Sequence, residues 1–423
     1  MVAERELRVP QNCGQRIDQT SSDLYRRRLH AAHPLGCLFY IASGVTHHIV
    51  PNSTADRWLS CRGQEGNQAR SGAIKRERAS QWPRRFQGGA GCRSVRLAST
   101  VVRGPTVTKI QTVLGEIEDS QLGFTLSHEH VIVSNGEDSA HYPWLYDRKA
   151  TMAYAIKRMQ AIKAGGVDTI IDLTTPDLGR DIEFMVEASQ GSGLQVVPAT
   201  GIWRDPPRSI MERDVDATAD IFVREIEQGI GHTSVRAGAI KVANDIEGFS
   251  EAHVRILRAA ARAAARTGTP ISTHHNAALQ MGTTQVRIFK EEGAPMDRVC
   301  IGHSGDSTDV DYLESLLKEG VYVSIDRYPG RAPRPTWEQR NQTLKTLLDR
   351  GWGEKLMVGH DGWAAVWLKP GQTEPTSNYF TYNPDGMLHL SKIAIPGMLE
   401  IGITREQVDM LTREVPRRFL AGK

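Results

Sequence analysis

From residue 120 onward the chain alternates short runs of apolar and β-branched residues with longer stretches in which apolar residues recur at helical spacing. Repeated βα units of this kind build a parallel sheet, because each strand returns to the same edge of the sheet through a helix. Eight units within about 290 residues match the α/β fold known as the (β/α)8 or TIM barrel. The predicted strands are 123–130, 167–175, 195–203, 236–243, 270–275, 299–304, 322–327 and 355–361.

The sequence pattern predicts helices between these strands, some more strongly than others. The Ala-rich segment 251–267 is the clearest, and apolar residues at helical spacing also follow the first and third strands. Residues from Ile393 to the end predict closing helices, with Gly402 in a turn and Thr404 as the N-cap that follows it.

Composition divides the chain into two parts. Of its 423 residues, 39% are hydrophobic and 24% charged, which excludes a wholly disordered or collagen-like protein.

The charge differs between the two parts. Residues 1–100 hold 16 Lys and Arg against 7 Asp and Glu, whereas the remainder holds 36 against 42. We therefore expect an N-terminal extension over 1–105 and a barrel over 106–423. The chain has no apolar run long enough for a membrane span.

The extension is rich in arginine and lacks periodicity. Fifteen of its sixteen basic residues before position 101 are Arg, which predicts a largely disordered segment. Three interpretations stay open: a targeting segment, since Arg26–Arg28 precede the apolar run 34–45; a basic arm for nucleic acid; or an accessory or spurious extension, with the functional chain starting near Val107. The last is favoured, so we expect no nucleic-acid partner.

The positions of the cysteines indicate whether the protein works in a reducing or an oxidising compartment. Four of the five cysteines precede residue 100, and Cys300 is the only one in the remainder. A lone cysteine makes no disulfide framework, so the larger part is typical of a reduced, cytoplasmic protein. Export through an N-terminal signal is the alternative.

Polar residues interrupt the apolar strands where they end. In a (β/α)8 barrel, catalytic groups lie at the carboxyl ends of the strands, and residues two apart on a strand point to the same side. Five strand ends carry ligand-type residues, namely His128, His130, Lys241, His274, His303 and Asp361. The seventh strand ends at Asp326-Arg327.

These side chains together favour a metal site. Each has a simpler explanation alone, such as a core histidine, a rim lysine or a helix-capping aspartate. As a converging set they would be costly without a cation, and imidazole with carboxylate suits zinc, or manganese, cobalt or iron. A neutral lysine amine can add carbon dioxide, and the resulting carbamate would bridge two metals. His275 and His360 are expected to have structural roles, and Cys300 to pack.

The residues 113–419 resemble the phosphotriesterase family of the amidohydrolase superfamily. The resemblance covers some three quarters of the chain, and the lysine combined with the THH and IGHSGD motifs is highly specific. The motifs that carry it are GFTLSHEH at 123–130, PDLGRD at 176–181, ATGIWRDPP at 199–207, RAGAIKVA at 236–243, CIGHSGDSTD at 300–309 and NPDGM at 383–387.

The resemblance implies a binuclear metal centre and a homodimer. His128, His130 and Asp361 would bind the buried metal, and His274 and His303 the exposed one. Lys241, as a carbamate, and a hydroxide would bridge the two ions. Asp361 would accept the proton of the attacking hydroxide.

Substrate preference rests on conflicting signals. Trp203 and the segment 205–207 resemble the leaving-group wall of true phosphotriesterases, and Asp306, the end of their proton relay, is present. Arg327, however, stands where those enzymes carry a relay histidine. The run Asp326-Arg327-Tyr328 resembles phosphotriesterase-like lactonases. Trp367 is expected to line the substrate pocket from the eighth loop, with loop packing as the alternative.

We therefore expect a metal-dependent hydrolase of small-molecule esters. Lactones are slightly favoured over organophosphate triesters, and Tyr328 is counted with the substrate-binding residues. A non-catalytic barrel that serves as a binding module is the alternative from another class.

Overall fold

The computed structural model describes residues 108–422. The expectations for the extension 1–105 therefore lie outside the described residues. Within the described part, no helix combines the length and the apolar character needed to cross a membrane.

A closed parallel barrel forms the body of the described chain. Nine strands follow one another in the order β10-β9-β8-β7-β6-β5-β4-β3-β11, and all neighbouring pairs are parallel. Before them, β1 (Lys109–Thr112) and β2 (Gly115–Glu118) form an antiparallel hairpin. The barrel strands are β3 Thr125–Val133, β4 Thr169–Asp172, β5 Gln195–Ile202, β6 Ala239–Ala243, β7 Ile271–His274, β8 Val299–Ile301, β9 Tyr322–Ile325, β10 Leu356–Val358 and β11 Gly362–Val366.

The helices surround the barrel, and most of the longer ones begin at a side-chain cap. Asp147, Asp181, Asp214 and Ser250 each accept a hydrogen bond from a backbone N–H in the first turn of the helix that follows. The helices are α1 Gly136–His141, α2 Arg148–Ala164, α3 Ile182–Ser192, α4 Arg208–Met211, α5 Val215–Glu227, α6 Glu251–Thr267, α7 Gly282–Glu291, α8 Val310–Leu317, α9 Trp337–Asp349, α10 Asn378–Tyr382, α11 Ile395–Glu400, α12 Arg405–Asp409 and α13 Val415–Ala421.

The first and last strands close the barrel through Glu129. Its fully buried carboxylate accepts hydrogen bonds from the backbone N–H of His360 (2.7 Å) and of Gly362 (2.9 Å). The Nδ1 atom of His360 lies 2.8 Å from the same carboxylate. Glu129 therefore points away from its two histidine neighbours on β3 and joins residues that are 231 positions apart.

Layers of side chains fill the barrel interior. The lower layer, near the amino ends of the strands, is apolar and includes Ile171, Val197, Ala239 and Met357. Because side chains alternate along a strand, Lys241 on β6 points to the same interior as Ala239, one layer higher. The hairpin and α13 cover the lower end, where Ile110 packs with the same cluster.

The predicted (β/α)8 barrel is confirmed. The segment 251–267 is a helix with the predicted bounds, and Thr404 caps α12. One difference concerns the eighth strand, which is interrupted: β10 pairs with β9, and β11 pairs with β3. The interruption falls at Asp361, whose φ of 52° is left-handed. The N-terminal hairpin was not among the predicted strands.

Candidate metal centre

The six predicted ligand residues lie together at the carboxyl ends of the strands. His128 and His130 on β3 face the same interior, with ring centroids 5.9 Å apart. Oδ1 of Asp361 lies 3.1 Å from Nε2 of His130 and 3.7 Å from Nε2 of His128. These three residues therefore offer one set of convergent ligand atoms.

A second pair of imidazoles lies beside the first. Nδ1 of His274, at the end of β7, is 2.9 Å from Nε2 of His303, and the two rings are nearly perpendicular. Nε2 of His303 is also 3.8 Å from Oδ2 of Asp361. Asp361 thus lies between the two histidine pairs.

Lys241 is buried among these ligands. Its side chain is 1% exposed, and Nζ lies 2.8 Å from Nε2 of His128. Burial lowers the pKa of Lys241 to about 7, so a large part of its amine is neutral near physiological pH. Gly201 on β5 passes close by: a Cβ there would be 1.9 Å from the carbonyl oxygen of Lys241. The glycine is therefore needed where β5 meets the lysine.

Each imidazole has one nitrogen turned inward and the other within reach of an oxygen outside the centre. Nδ1 of His130 lies 2.8 Å from Thr174 Oγ1, and Nε2 of His274 lies 2.8 Å from Asp245 Oδ2. Asp326 serves the other two histidines, as described next. Oxygen partners of this kind set the tautomer and orientation of metal-binding histidines.

Asp326 lies behind two of the histidines. Its Oδ1 is 2.9 Å from Nδ1 of His303, and its Oδ2 is 3.2 Å from Nδ1 of His128 and accepts from the backbone N–H of His303. The three side chains are close enough to form a ligand cluster of their own. However, both oxygens already accept hydrogen bonds from His303, so we assign Asp326 to orienting the rings.

The donor set fits divalent cations. Burial lowers the pKa of His128 to about 4 and of His274 to about 3, so both rings are neutral at pH 7 and keep a lone pair. Inward nitrogens lie 2.8–2.9 Å from one another, and Asp361 is the carboxylate that lies among them. Neutral imidazoles with one carboxylate and no thiolate are ligands that zinc accepts.

Three strand ends have a strained backbone at the centre. Positive φ angles occur at His303 (60°), Arg327 (65°) and Asp361 (52°). Such conformations cost about 1–3 kcal/mol each in non-glycine residues and tend to occur at functional sites. They turn these side chains toward the centre where a regular strand would point them elsewhere.

Arg327 pairs with two carboxylates. Its Nε donates to Asp361 Oδ2 at 2.9 Å, and one terminal nitrogen donates to Asp306 Oδ2 at 2.7 Å. These carboxylates offset the effect of burial and raise the pKa of Arg327 above its ordinary value. The guanidinium is therefore permanently charged at the edge of the centre.

A cavity of about 170 Å³ opens above the ligands. Its walls include the apolar side chains of Val133 and Leu178 and the rings of Trp203 and Trp363. The indole Nε1 of Trp203 donates toward Nδ1 of His274 at 3.3 Å. The cavity therefore has an apolar wall on one side and the candidate ligand atoms on the other.

The other residues expected in substrate binding are more scattered. Tyr328 is buried, and its hydroxyl donates to Asn341 Oδ1 at 2.8 Å. Trp367 packs against Phe184 and Tyr146, with ring centroids 5.4 and 5.7 Å away. Contacts of this kind are those of loop packing, and the pocket role of Trp367 stays a prediction.

Several residues at the centre were not singled out from the sequence. Asp245 and Arg340 lie in a loop and on a helix outside the predicted strands, so no spacing rule points to them. Thr174 lies at the end of the predicted strand 167–175, but a threonine there gives no ligand signal. Trp363 had a usable signal, because it comes two residues after Asp361. Asp326 was noted as a strand end, but not as the shared partner of two histidines.

Comparisons with known proteins show the family of the chain. The sequence profile of the phosphotriesterase family matches residues 108–420. The chain is 37% identical over 321 residues to the phosphotriesterase homology protein of Mycobacterium tuberculosis, covering 74% of this chain and 97% of that protein. It is 32% identical over 313 residues to the aryldialkylphosphatase of Saccharolobus solfataricus, covering 72% and 97%. The solved structure of the phosphotriesterase from Mycobacterium tuberculosis superposes with a TM-score of 0.68 at 37% identity, covering 74% of this chain and 98% of that one.

Proposed function

The chain belongs to the phosphotriesterase family, and from this premise we propose that it is a metal-dependent hydrolase of small-molecule esters. Lactones are the favoured substrates, and organophosphate triesters are the second candidate. The observation that supports the proposal is the convergence of four imidazoles, one lysine and one carboxylate at a single end of the barrel.

Two divalent metal ions, most simply zinc, would be held by this set. His128, His130 and Asp361 would hold one ion, and His274 and His303 the other. Lys241, in its neutral form, would add carbon dioxide and bridge the ions as a carbamate. When bound, the ions would lower the pKa of a water molecule and polarise the bond under attack.

Asp361 would hold the proton released during attack. Its carboxylate faces both histidine pairs, and its Oδ2 also accepts a hydrogen bond from Nε of Arg327. Because a guanidinium cannot accept a proton at neutral pH, the proton has no path outward through Arg327. Asp361 would instead return it to the departing oxygen.

Retention of the proton at Asp361 favours lactones over aryl phosphotriesters as substrates. A ring-opened lactone leaves as a basic alkoxide, which needs a proton as the bond breaks. A phenolate leaving group is stable without one, so an aryl phosphotriester gains little from a proton kept at Asp361. Arg327 thus suits substrates whose leaving group is strongly basic.

Phosphotriesters remain the second candidate because of a specific relative. The aryldialkylphosphatase of Saccharolobus solfataricus is 32% identical and almost fully covered. Trp203 also lies in the wall of the cavity, where it would contact an aryl leaving group.

Metal analysis and paired kinetics test the proposal. After expression with zinc and bicarbonate, we expect close to two metals per chain and hydrolysis of a δ-lactone or acyl-homoserine lactone with a higher kcat/KM than that of a diethyl aryl phosphate. Fewer than about 0.2 metals per chain with a folded barrel would favour a binding module instead. Asp361→Asn is the matched variant, since it should stay folded and lose most of kcat.

A further inference from the structure

A second cavity adjoins the one above the metal centre. It has a volume of about 170 Å³ and shares Arg327, Asp361 and Trp363 with the first cavity. The two spaces are therefore adjacent and meet at the ion pair of Arg327 with Asp361 and at the indole of Trp363.

The outer wall of this second cavity is cationic. Arg331 and Arg334, both exposed, line it together with Arg327. The guanidinium of Arg331 lies 4.8 Å from the ring centroid of Tyr382, which holds it at the rim. Within residues 108–422, no carboxylate lies within ion-pair distance of Arg331.

The carboxylates nearby are already shared among several arginines. The single carboxylate of Asp306 pairs with three arginines: Arg327 (2.7 Å), Arg334 (3.1 Å) and Arg340 (2.7 Å). Asp361 pairs with Arg327 and faces the histidines. Arg327, Arg334 and Arg340 therefore share these two carboxylates, and the exposed Arg331 adds a guanidinium that no described carboxylate pairs with.

One of these guanidiniums also has a buried donor without an acceptor. Arg340 is fully buried, and its Nε has no acceptor within the described residues. A Cβ built on Gly330, which lines the cavity, would lie 3.2 Å from this Nε. This unpaired N–H lies behind the backbone of Gly330 and adds to the donor character of that wall of the cavity.

We propose that the second cavity is a subsite for an anionic group of the substrate, so that the preferred substrates are esters or lactones that also carry a carboxylate or a similar oxyanion. Guanidinium groups bind such oxyanions through paired, charge-assisted hydrogen bonds. Tyr382 and Trp363 would pack against the short apolar spacer between the anion and the scissile bond. The subsite rests on the proposed hydrolase function, because it assigns the substrate class of the same site.

Matched substrates that differ only in charge test the subsite. The 4-nitrophenyl half-esters of the dicarboxylates from succinate to adipate are compared with the corresponding 4-nitrophenyl methyl diesters. For at least one spacer length, we expect kcat/KM of the wild type to favour the free acid by about tenfold or more, as one charge-assisted contact permits. Arg331→Gln and Arg334→Gln should each reduce this ratio severalfold, while Arg331→Lys should keep part of it.

Arg287→Gln is the control, because Arg287 is exposed on α7 and pairs only with Glu291 among the described carboxylates. Calorimetry with glutarate gives a second readout, with weaker binding expected in Arg331→Gln than in the wild type.

The outcomes separate the two proposals. Turnover of the methyl diesters with no preference for any free acid would overturn the subsite and leave the hydrolase function standing. No turnover of any ester would overturn the function, and the difference in glutarate binding would then decide the subsite by itself.

Discussion

Nε of Arg327 donates a hydrogen bond to Oδ2 of Asp361 over 2.9 Å, and the same guanidinium also binds Asp306. The carboxylate proposed to hold the proton is thereby paired with a group that cannot take the proton away. This relationship links the seventh and eighth strand ends, and the first prediction follows from it.

Replacing Arg327 with His should shift the substrate preference toward phosphotriesters. An imidazole beside Asp361 can accept and release a proton near pH 7, whereas the guanidinium cannot. We expect the ratio of kcat/KM for a diethyl aryl phosphate to that for a δ-lactone to rise by at least about tenfold, a modest effect for a positioned acid–base group. An unchanged ratio would mean that the seventh strand does not set substrate choice. Arg287→His serves as the surface control.

Replacing Asp326 with Asn should weaken metal binding. In the wild type, Nδ1 of His128 and of His303 each face an oxygen of Asp326. In the variant, the amide NH2 group would replace one of these oxygens and would favour an unprotonated Nδ1. The ring would then hold its proton on the nitrogen that should bind the metal. We expect the metal affinity, measured by competition with a chelator, to fall by about 10–100-fold. Asp297→Asn, exposed before β8 at the opposite end of the barrel, should leave it unchanged. Equal affinities in both variants would contradict the orienting role of Asp326.

Replacing Lys241 with Ala should remove the bridging group. We expect metal content to fall toward one ion or fewer per chain and most of the activity to be lost. A short carboxylic acid such as propionate should partly restore both, because its carboxylate can occupy the space of the carbamate. Full activity of Lys241→Ala without added acid would exclude a carbamate bridge.

Acid should destabilise the metal-free protein in part through His275. Burial lowers the pKa of His275 from an ordinary value near 6.5 to about 4, while Gly302 O and the Tyr312 hydroxyl hold the neutral ring. The unfolded chain then binds a proton that the folded chain does not, so this stabilisation is present above pH 6.5 and is lost as the pH falls toward 4.

Urea unfolding with a chelator present measures this effect. Between pH 7 and pH 5 the free energy of unfolding should fall less in His275→Gln than in the wild type, by on the order of 1–2 kcal/mol. Parallel pH dependences of the two proteins would show that His275 does not contribute.

Gly302→Ala should disturb the site and the fold together. A Cβ at this position would lie 2.0 Å from the carbonyl oxygen of Thr273 and 3.2 Å from Nδ1 of His128. Strands β7 and β8 would have to separate, so we expect a loss of about 2–3 kcal/mol in unfolding free energy along with weaker metal binding. The control is Gly353→Ala, whose Cβ would meet the side chains of Met410 and Leu348 but no backbone atom at such a short distance.

The fold could be predicted from local patterns because each βα unit repeats one periodicity. Strand 299–304 shows the limit of this approach: regular pairing stops at Ile301, and His303 adopts a left-handed backbone that no periodicity encodes. The break at Asp361 has the same origin. Hydrogen bonds between distant segments decide such departures, and a local pattern does not contain them.

The inner residues of the site could be predicted, and those around them could not. His128 and Lys241 interrupt apolar strands, which gives each a signal in its own neighbourhood. Asp245 lies in a loop and Arg340 on α9, and both reach the centre only through the tertiary arrangement. The grouping of arginines around Asp306 likewise depends on segments that are separate in sequence.

Glu129 joins the first barrel strand to the residues on either side of Asp361, and three of the candidate ligands, His128, His130 and Asp361, come from these two parts of the chain. A ribosome must therefore synthesise almost the whole barrel before the last carboxylate can meet His128 and His130. Chains truncated before residue 361 would lack this ligand however well their earlier strands assemble. Assembly of the complete set of candidate ligands is thus a late event that depends on closure of the barrel.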